Sequence, residues 1–440
     1  MKIDFSMVQK NSSYSFCASG GKNVTLPLLF LASWLSIKFQ KDIHISNIPK
    51  LIDIEICLRY LKFLWVKLLY HEGNITIYGK TSILKKNIPK GLYGEFRYSI
   101  LSIGLLLSFF DEIDIPDKTG GCAIGERKDN LHYDFFIQAW FDINISGSWI
   151  SISKKRDPVP HKIVFQPNIA STSVTENIIL FCVLSFESIT TIEINNFYGI
   201  RPDISELLDF ASLFWYTFSH TNKVLTSVSY NPITIESPVK YRAMSDFDQA
   251  LFYILLALVL ESDITLENYC NTYDYREISL LNWVLWNIIT LTNNTLHITG
   301  KWISKTCINL DIIANEYPNI MSDSQPIISI LSLFCNTIKI SDTRFVWRYN
   351  YSQYYTIFWC NASVQDNSLI ISHTTECRQD KETSQWDITL FSIRESWTLL
   401  LLAIYFRAII SIKNTYILER WYENIFQNLL LIWAKYEKKW

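Results

Sequence analysis

The sequence predicts an α/β protein of two domains, each assembled from three copies of one repeated unit. A short alternating strand ending in Asn or Asp recurs six times: DIHISN to Asn47, EIDIPD to Asp117, TIEINN to Asn196, DITLEN to Asn268, TIKISD to Asp342 and IISIKN to Asn414. The intervals between those end residues are 70, 79, 72, 74 and 72 residues. The length, 440 residues, is too great for one ordinary core and suits two domains.

Two other features keep step with the strands. Before most of them lies an apolar segment of helical length, as in Ser99–Phe110, Glu176–Phe186, Ala250–Leu260 and Glu395–Arg407. After each comes a second helical pattern ending in an aromatic cluster that holds Trp65, Trp140, Phe214–Trp215, Trp286, Trp359 or Trp433. The second copy is longer because it carries a Gly-rich loop. Each unit therefore reads as helix, strand, helix and further strands, and cannot bury its apolar faces alone. The domain break belongs between the third and fourth units, where Ser227–Pro238 has the composition of a linker.

The apolar runs Ala250–Leu260 and Leu399–Phe406 are shorter than the roughly 20 residues of a membrane span. Arg407 ends the second. Both are expected to be buried core helices, with no stable membrane insertion. The chain is 49% hydrophobic and 19% charged, which suits large buried cores and opposes disorder. A net charge of −2 leaves no basic field for nucleic acid or anionic lipid, so an anion site must be a local cluster. Nine cysteines without a CxxC pair make neither a disulfide scaffold nor a zinc knuckle. Met1 to Lys10 lacks the apolar core of a signal peptide, and a reducing cytoplasm is the expected compartment.

Three local patterns carry chemistry. Gly120-Gly121-Cys122-Ala123-Ile124-Gly125-Glu126-Arg127 presents a thiol on a glycine-bounded loop with a guanidinium five residues on. A neighbouring cation favours thiolate, which suits proton donation or covalent addition, although a surface turn with an incidental Cys reads equally well. Ser19-Gly20-Gly21-Lys22-Asn23 before an apolar run suggests an anion site at a helix start, or a simple turn. Arg97, Arg394 and Arg420 sit in apolar helical contexts and each needs an anionic partner. That partner is a ligand, or Glu95, Glu395 and Glu419 respectively.

Together these motifs resemble the UDP-N-acetylglucosamine 1-carboxyvinyltransferase family across nearly the whole chain. Ser19–Pro27 resembles SGAKNAALP, and Gly120–Arg127 with Leu131-His132 resembles the loop GGCxIGxRPxDLH. Thr175-Glu176-Asn177 is similar to TEN, and Ser322-Asp323-Ser324-Gln325 to TDMQ. Ile393-Arg394-Glu395-Ser396 resembles LRAS, and Leu418-Glu419-Arg420-Trp421-Tyr422 resembles IDRGY. The resemblance implies the two-domain enolpyruvyl-transferase fold, an inside-out α/β barrel with three βαβαββ units per domain. It assigns residues 20–234, with the Cys loop at 119–128, to one domain, and residues 1–19 plus 235–440 to the other.

The resemblance also implies a transferase that moves the enolpyruvyl group of phosphoenolpyruvate to the 3-hydroxyl of UDP-N-acetylglucosamine, releasing phosphate, in peptidoglycan synthesis. No cofactor or metal is implied, and a monomer or weak oligomer is expected. Lys22, Arg127 and Arg420 would clamp phosphate and carboxylate, with Arg394 in support. Cys122 would be the acid or a covalent partner, and Asp323 the base. Asn23 would position the tetrahedral intermediate, and Arg97 and Arg348, with Arg344 as an alternative to the latter, would contact substrate or hold a closed cleft. Asp53 and Ser171 complete the implied substrate-binding set. All are expected to converge on one cleft between the domains.

Several positions depart from the family pattern. Lys128 stands for Pro, Asn130 for Asp, and Ser392 for the carboxylate two residues before Arg394. The glycine turns that end family helices are replaced by aromatic clusters. These losses fall mainly where the family holds the nucleotide sugar, so the reaction carries over better than the acceptor. Another nucleotide or nucleoside acceptor, or a non-catalytic sugar-nucleotide-binding descendant, are the competing expectations.

Overall fold

The computed structural model describes residues 1–80, 85–120, 130–155, 162–167, 170–185, 191–197, 201–221, 224–230, 235, 237–285, 289–300, 309–345, 348–358, 360–372, 385–390 and 392–437. Each of the six expected repeat strands is a strand: Ile43–Ser46, Glu112–Pro116, Thr191–Asn195, Asp263–Glu267, Thr337–Asp342 and Ile409–Lys413. Alternate residues are buried, as in Ile43 and Ile45 or Ile264 and Leu266, so one face of each strand packs inward.

The residue that ends the strand has a structural task. Asn47, Asn196, Asn268 and Asn414 take left-handed φ values of 64°, 54°, 61° and 60°. Their side-chain amides donate to the carbonyls of Ala243 (2.8 Å), Pro167 (2.6 Å), Ala18 (2.8 Å) and Leu390 (3.1 Å). Each carbonyl lies just past a strand that pairs in parallel with the repeat strand. Asparagine tolerates the left-handed region and supplies the donor, which explains its recurrence.

Most of the sheets share one plan. In four of them a repeat strand has a parallel neighbour on one side and an antiparallel hairpin on the other, as in the order Val239–Arg242, Ile43–Ser46, Asn74–Ile77, Leu68–His71. Among the described residues no sheet closes into a barrel. The sheets instead surround buried helices. In the unit that runs from Gly20 to Met244 these are Lys22–Phe39, the 3₁₀–α segment Arg97–Leu107, and Thr172–Ser185. In the unit of Met1–Ser19 and the chain from Ser245 onward they are Phe247–Leu260, Gln325–Leu333 and Ile393–Tyr405. The three helices of each set pack on one another.

Burial on every side explains the predominantly apolar pattern of these helices: every residue of Phe247–Leu260 is buried. Among the described residues no helix is long and apolar enough to cross a membrane. Three of the described strands complete sheets far from their own place in the sequence: Lys2–Asp4 pairs with Ile409–Lys413 and Lys435–Glu437. Ser13–Cys17 pairs with Asp263–Glu267, and Val239–Arg242, which lies beyond the expected change-over at 234/235, pairs with Ile43–Ser46.

The aromatic clusters mark helix ends. Trp65, Trp140, Trp215 and Trp433 take φ values of 71°, 76°, 67° and 70°, the conformation in which glycine normally ends a helix. Trp286 and Trp359 lie outside the described residues.

Candidate active site

In the Gly20–Met244 unit, Gly20-Gly21 leads into the helix Lys22–Phe39. A Cβ on Gly20 would lie 1.8 Å from the Asn47 carbonyl oxygen, so only glycine fits there. The turn delivers Lys22 to the helix start as a buried cation. Its Nζ is 3.1 Å from Oδ2 of Asp53, which is equally buried in the first turn of the helix Ile52–Phe63. Asn23 Oδ1 accepts from the Tyr98 hydroxyl at 3.3 Å. Arg97 donates from Nη1 to Thr119 Oγ1 at 2.9 Å. Glu95, one expected partner for Arg97, forms an ion pair with Arg59.

Ser171 stands at the entry to the helix Thr172–Ser185, its carbonyl accepting from Thr175 N–H at 3.0 Å. Within that helix Asn177 acts as a clamp. Its Oδ1 accepts from Gly104 N–H at 3.1 Å, and its Nδ2 lies 3.1 Å from the Ile100 carbonyl and 3.2 Å from His132 Nδ1. Burial, and secondly the charge of Arg97, lower the His132 pKa to about 3, so the imidazole is neutral. Both carboxylate oxygens of Glu176 are buried with no hydrogen-bond partner among the described residues. Desolvation, reinforced by Asp203, raises its pKa well above the ordinary carboxyl value, while Arg201 opposes the shift.

Near the end of this unit, Glu206 accepts Met244 N–H at 2.9 Å. The other unit repeats the device, with Glu277 accepting Met321 N–H at 2.7 Å. Asp323 follows, its side chain 25% exposed and its Oδ1 3.7 Å from Arg348 Nη1. The Arg348 guanidinium lies 3.3 Å from the centre of the Phe345 ring, whereas that of Arg344 is 5.4 Å from it. Of the two arginines considered at this position, Arg348 forms an ion pair with Asp323. Arg394 falls in the first turn of the helix Ile393–Tyr405, and half-buried Arg420 caps the short helix Tyr416–Glu419.

Beside Asp323, Asp342 organises a buried polar network. It accepts from Ser322 Oγ (3.0 Å), Gln325 Nε2 (2.6 Å) and the N–H groups of Arg344 (2.8 Å) and Phe345 (2.9 Å). The network walls an open recess of about 300 Å³, counted into the solvent at its mouth and lined in part by Arg348, Asn350, Ser392 and Glu395. Among the described residues no cluster of side chains is suited to hold a metal.

The sequence-predicted residues thus fall into two groups. Lys22, Asn23, Asp53, Arg97 and Ser171 belong to the Gly20–Met244 unit; Asp323, Arg348, Arg394 and Arg420 belong to the other. Cys122 and Arg127 lie outside the described residues. Sequence reasoning did not identify Asp342, Glu206 or Glu277 as interacting groups. Asp342 showed only as a repeat-strand terminus, and the acids bind backbone N–H groups more than 35 positions away, which leaves no local pattern.

The family model described as EPSP synthase (3-phosphoshikimate 1-carboxyvinyltransferase) matches residues 17–429. Curated relatives named UDP-N-acetylglucosamine 1-carboxyvinyltransferase include that of Buchnera aphidicola subsp. Baizongia pistaciae, 27% identical over 97% of each chain. That of Pelagibacter ubique is 26% identical over 96% of this chain and 95% of its own. Among solved structures, the enolpyruvyl transferase NikO from Streptomyces tendae superposes with a TM-score of 0.79 at 13% identity, covering 99% of this chain and 98% of that one. An EPSP synthase from Acinetobacter baumannii gives 0.71 at 14% identity, covering 98% and 97%.

Proposed function

Since this chain belongs to the EPSP synthase family and is an enolpyruvyl (carboxyvinyl) transferase, we propose that it transfers the enolpyruvyl group of phosphoenolpyruvate to the 3-hydroxyl of UDP-N-acetylglucosamine. The full-length relatives bearing that activity in their names support this acceptor. The structural observation that carries the reading is Asp323, a carboxylate left partly open to solvent and steadied by a buried arginine. A group so placed suits removal of a hydroxyl proton.

In this reading the acceptor oxygen bonds to C2 of phosphoenolpyruvate while its proton passes to Asp323 and another proton reaches C3. Cys122 donates that second proton. The tetrahedral adduct then loses a proton from C3 to the Cys122 thiolate and phosphate from C2, which restores the double bond. Lys22, Arg127 and Arg420 draw the phosphate and carboxylate charges, and Arg394 supports them. Asn23 holds the adduct, while Asp53, Arg97, Ser171 and Arg348 complete the substrate contacts. The step belongs to cytoplasmic synthesis of peptidoglycan precursor.

A second reading keeps the chemistry and changes the acceptor to another nucleotide or nucleoside. Ser392 at the position of an expected carboxylate, beside a buried Glu395, favours it. Phosphate release from phosphoenolpyruvate, measured with UDP-N-acetylglucosamine and with a panel of other nucleotides, tests both. Release with the sugar nucleotide is expected; release only with another member of the panel would replace the first reading by the second, and none with any acceptor would end both.

A further inference from the structure

We propose that Asp342 is a positioning residue for the transfer: it fixes the chain on both sides of Asp323 and, through Phe345, the arginine that meets it. This rests on the reading of Asp323 as the base, and adds the group that aims that base.

Asp342 departs from its own repeat. Asn47, Asn196, Asn268 and Asn414 end their strands in the left-handed region, with side chains that donate to a carbonyl. The strand Thr337–Asp342 ends instead in a buried carboxyl group, and its side chain accepts. Oδ1 takes hydrogen bonds from Ser322 Oγ at 3.0 Å and from the N–H groups of Arg344 and Phe345 at 2.8 and 2.9 Å. Oδ2 takes one from Gln325 Nε2 at 2.6 Å. The two backbone donors cannot reverse their role, so the position calls for an oxygen acceptor.

These bonds converge on Asp323 by two routes. Ser322 precedes it by one residue and Gln325 follows it by two, so Asp342 grips the turn on either side of the base. The turn is closed by Ser324 N–H on the Met321 carbonyl at 2.9 Å, and Glu277 holds the Met321 N–H at 2.7 Å. The second route runs through Phe345. Asp342 holds its N–H, its carbonyl accepts the Arg348 N–H at 3.0 Å, and its ring lies 3.3 Å from the Arg348 guanidinium. Arg348 Nη1 in turn stands 3.7 Å from Asp323 Oδ1. Loss of the Asp342 carboxyl group therefore loosens the base and its cation together. Asp323, with 25% of its side chain exposed, is not fixed by burial and depends on these supports.

Phosphate release from phosphoenolpyruvate with UDP-N-acetylglucosamine, measured on the full chain in a double-variant cycle, tests the proposal. Asp342→Ala is expected to lower kcat about a hundredfold, the scale of a misplacement of about 1 Å, with the KM for phosphoenolpyruvate within about threefold of wild type. In an Asp323→Asn background the same substitution should change the remaining turnover by less than about threefold, because the group it aims is gone. Asp342→Asn should restore most of the turnover: its oxygen can keep the three Oδ1 donors, and a turn of the Gln325 amide meets its new N–H. If Asp342→Ala does not fold, Ser322→Ala, which cuts one link on the Asp323 side, carries the same cycle with a fall of about tenfold expected. Turnover within about threefold of wild type in the variant that folds would overturn the proposal. So would an equal fall with and without Asp323, the mark of a merely structural residue, or an Asp342→Asn as slow as Asp342→Ala. If Asp323→Asn alone leaves turnover intact, the base reading falls and this one with it; a fall there without one in Asp342→Ala removes this one only.

Discussion

Lys22 and Asp53 form an ion pair with both side chains less than a tenth exposed, Nζ to Oδ2 at 3.1 Å. Removing one partner strands the other charge in the interior, which typically costs about 3–5 kcal/mol. Asp53→Ala is therefore expected to lose about that much stability in urea unfolding. The double variant Lys22→Met with Asp53→Leu should regain most of it, because no buried charge is left, and should have no transferase activity. A cost below about 1 kcal/mol for Asp53→Ala would mean that water reaches the lysine and the pair is not a buried one.

Asp323 differs from Asp53 in being partly open to solvent, with Arg348 at 3.7 Å. Asp323→Asn keeps the shape and removes the base. Turnover is expected to fall at least about a hundredfold, the usual contribution of general base catalysis, with the unfolding midpoint little changed. Phosphoenolpyruvate binding should persist. Turnover within about threefold of wild type would move the base elsewhere.

Much of the fold was legible because one rule is applied six times. Alternation in strands such as Ile43–Ser46 follows from burying one sheet face, and Asn47, Asn268 and Asn414 recur because their backbone and amide are both used. What escaped notice depends on distance in sequence. Glu395 reads as a salt-bridge partner for its neighbour Arg394, yet its carboxyl meets Tyr354, which is 41 positions away. The 3₁₀ start of Arg97–Leu107 was equally hidden, since an apolar run does not state its hydrogen-bond period. The site residues were found by matching motifs. Their surroundings, Asp342 above all, emerge only once the strands are assembled.

Glu206 gives the protein a pH-dependent term of defined sign. Burial pushes its pKa up to about 7 from 4.5, with Asp209 adding to the shift and the Met244 N–H and Tyr241 opposing it. The folded chain then binds a proton that the unfolded chain has released. This contribution is fully present below pH 4.5 and is lost as pH rises through about 7, on the order of 3 kcal/mol in all. Glu206→Gln retains an acceptor for Met244 N–H and removes the titration. Its stability relative to wild type should therefore rise between pH 5 and pH 8, by urea unfolding at about one-unit steps. A difference that stays flat over that range would show the carboxyl to be ionised at ordinary acidity.

Tryptophan at a left-handed helix end is the feature most foreign to the family pattern, and its energetics can be weighed. Trp433 has φ 70° and its side chain is largely exposed at 56%. The left-handed conformation costs a non-glycine residue about 1–2 kcal/mol, and glycine avoids that but loses about 0.5–1 kcal/mol more chain entropy on folding. The indole's remaining contacts are those of a half-covered ring. Trp433→Gly is therefore expected to leave stability unchanged or raise it by up to about 1 kcal/mol. Trp397→Ala, at a site 1% exposed, should cost about 3–5 kcal/mol by opening a cavity between Trp421 and Tyr422. Denaturation midpoints of the two variants, measured side by side, check the contrast. A loss of more than about 2 kcal/mol in Trp433→Gly would show that the exposed ring is bound to something the backbone argument leaves out.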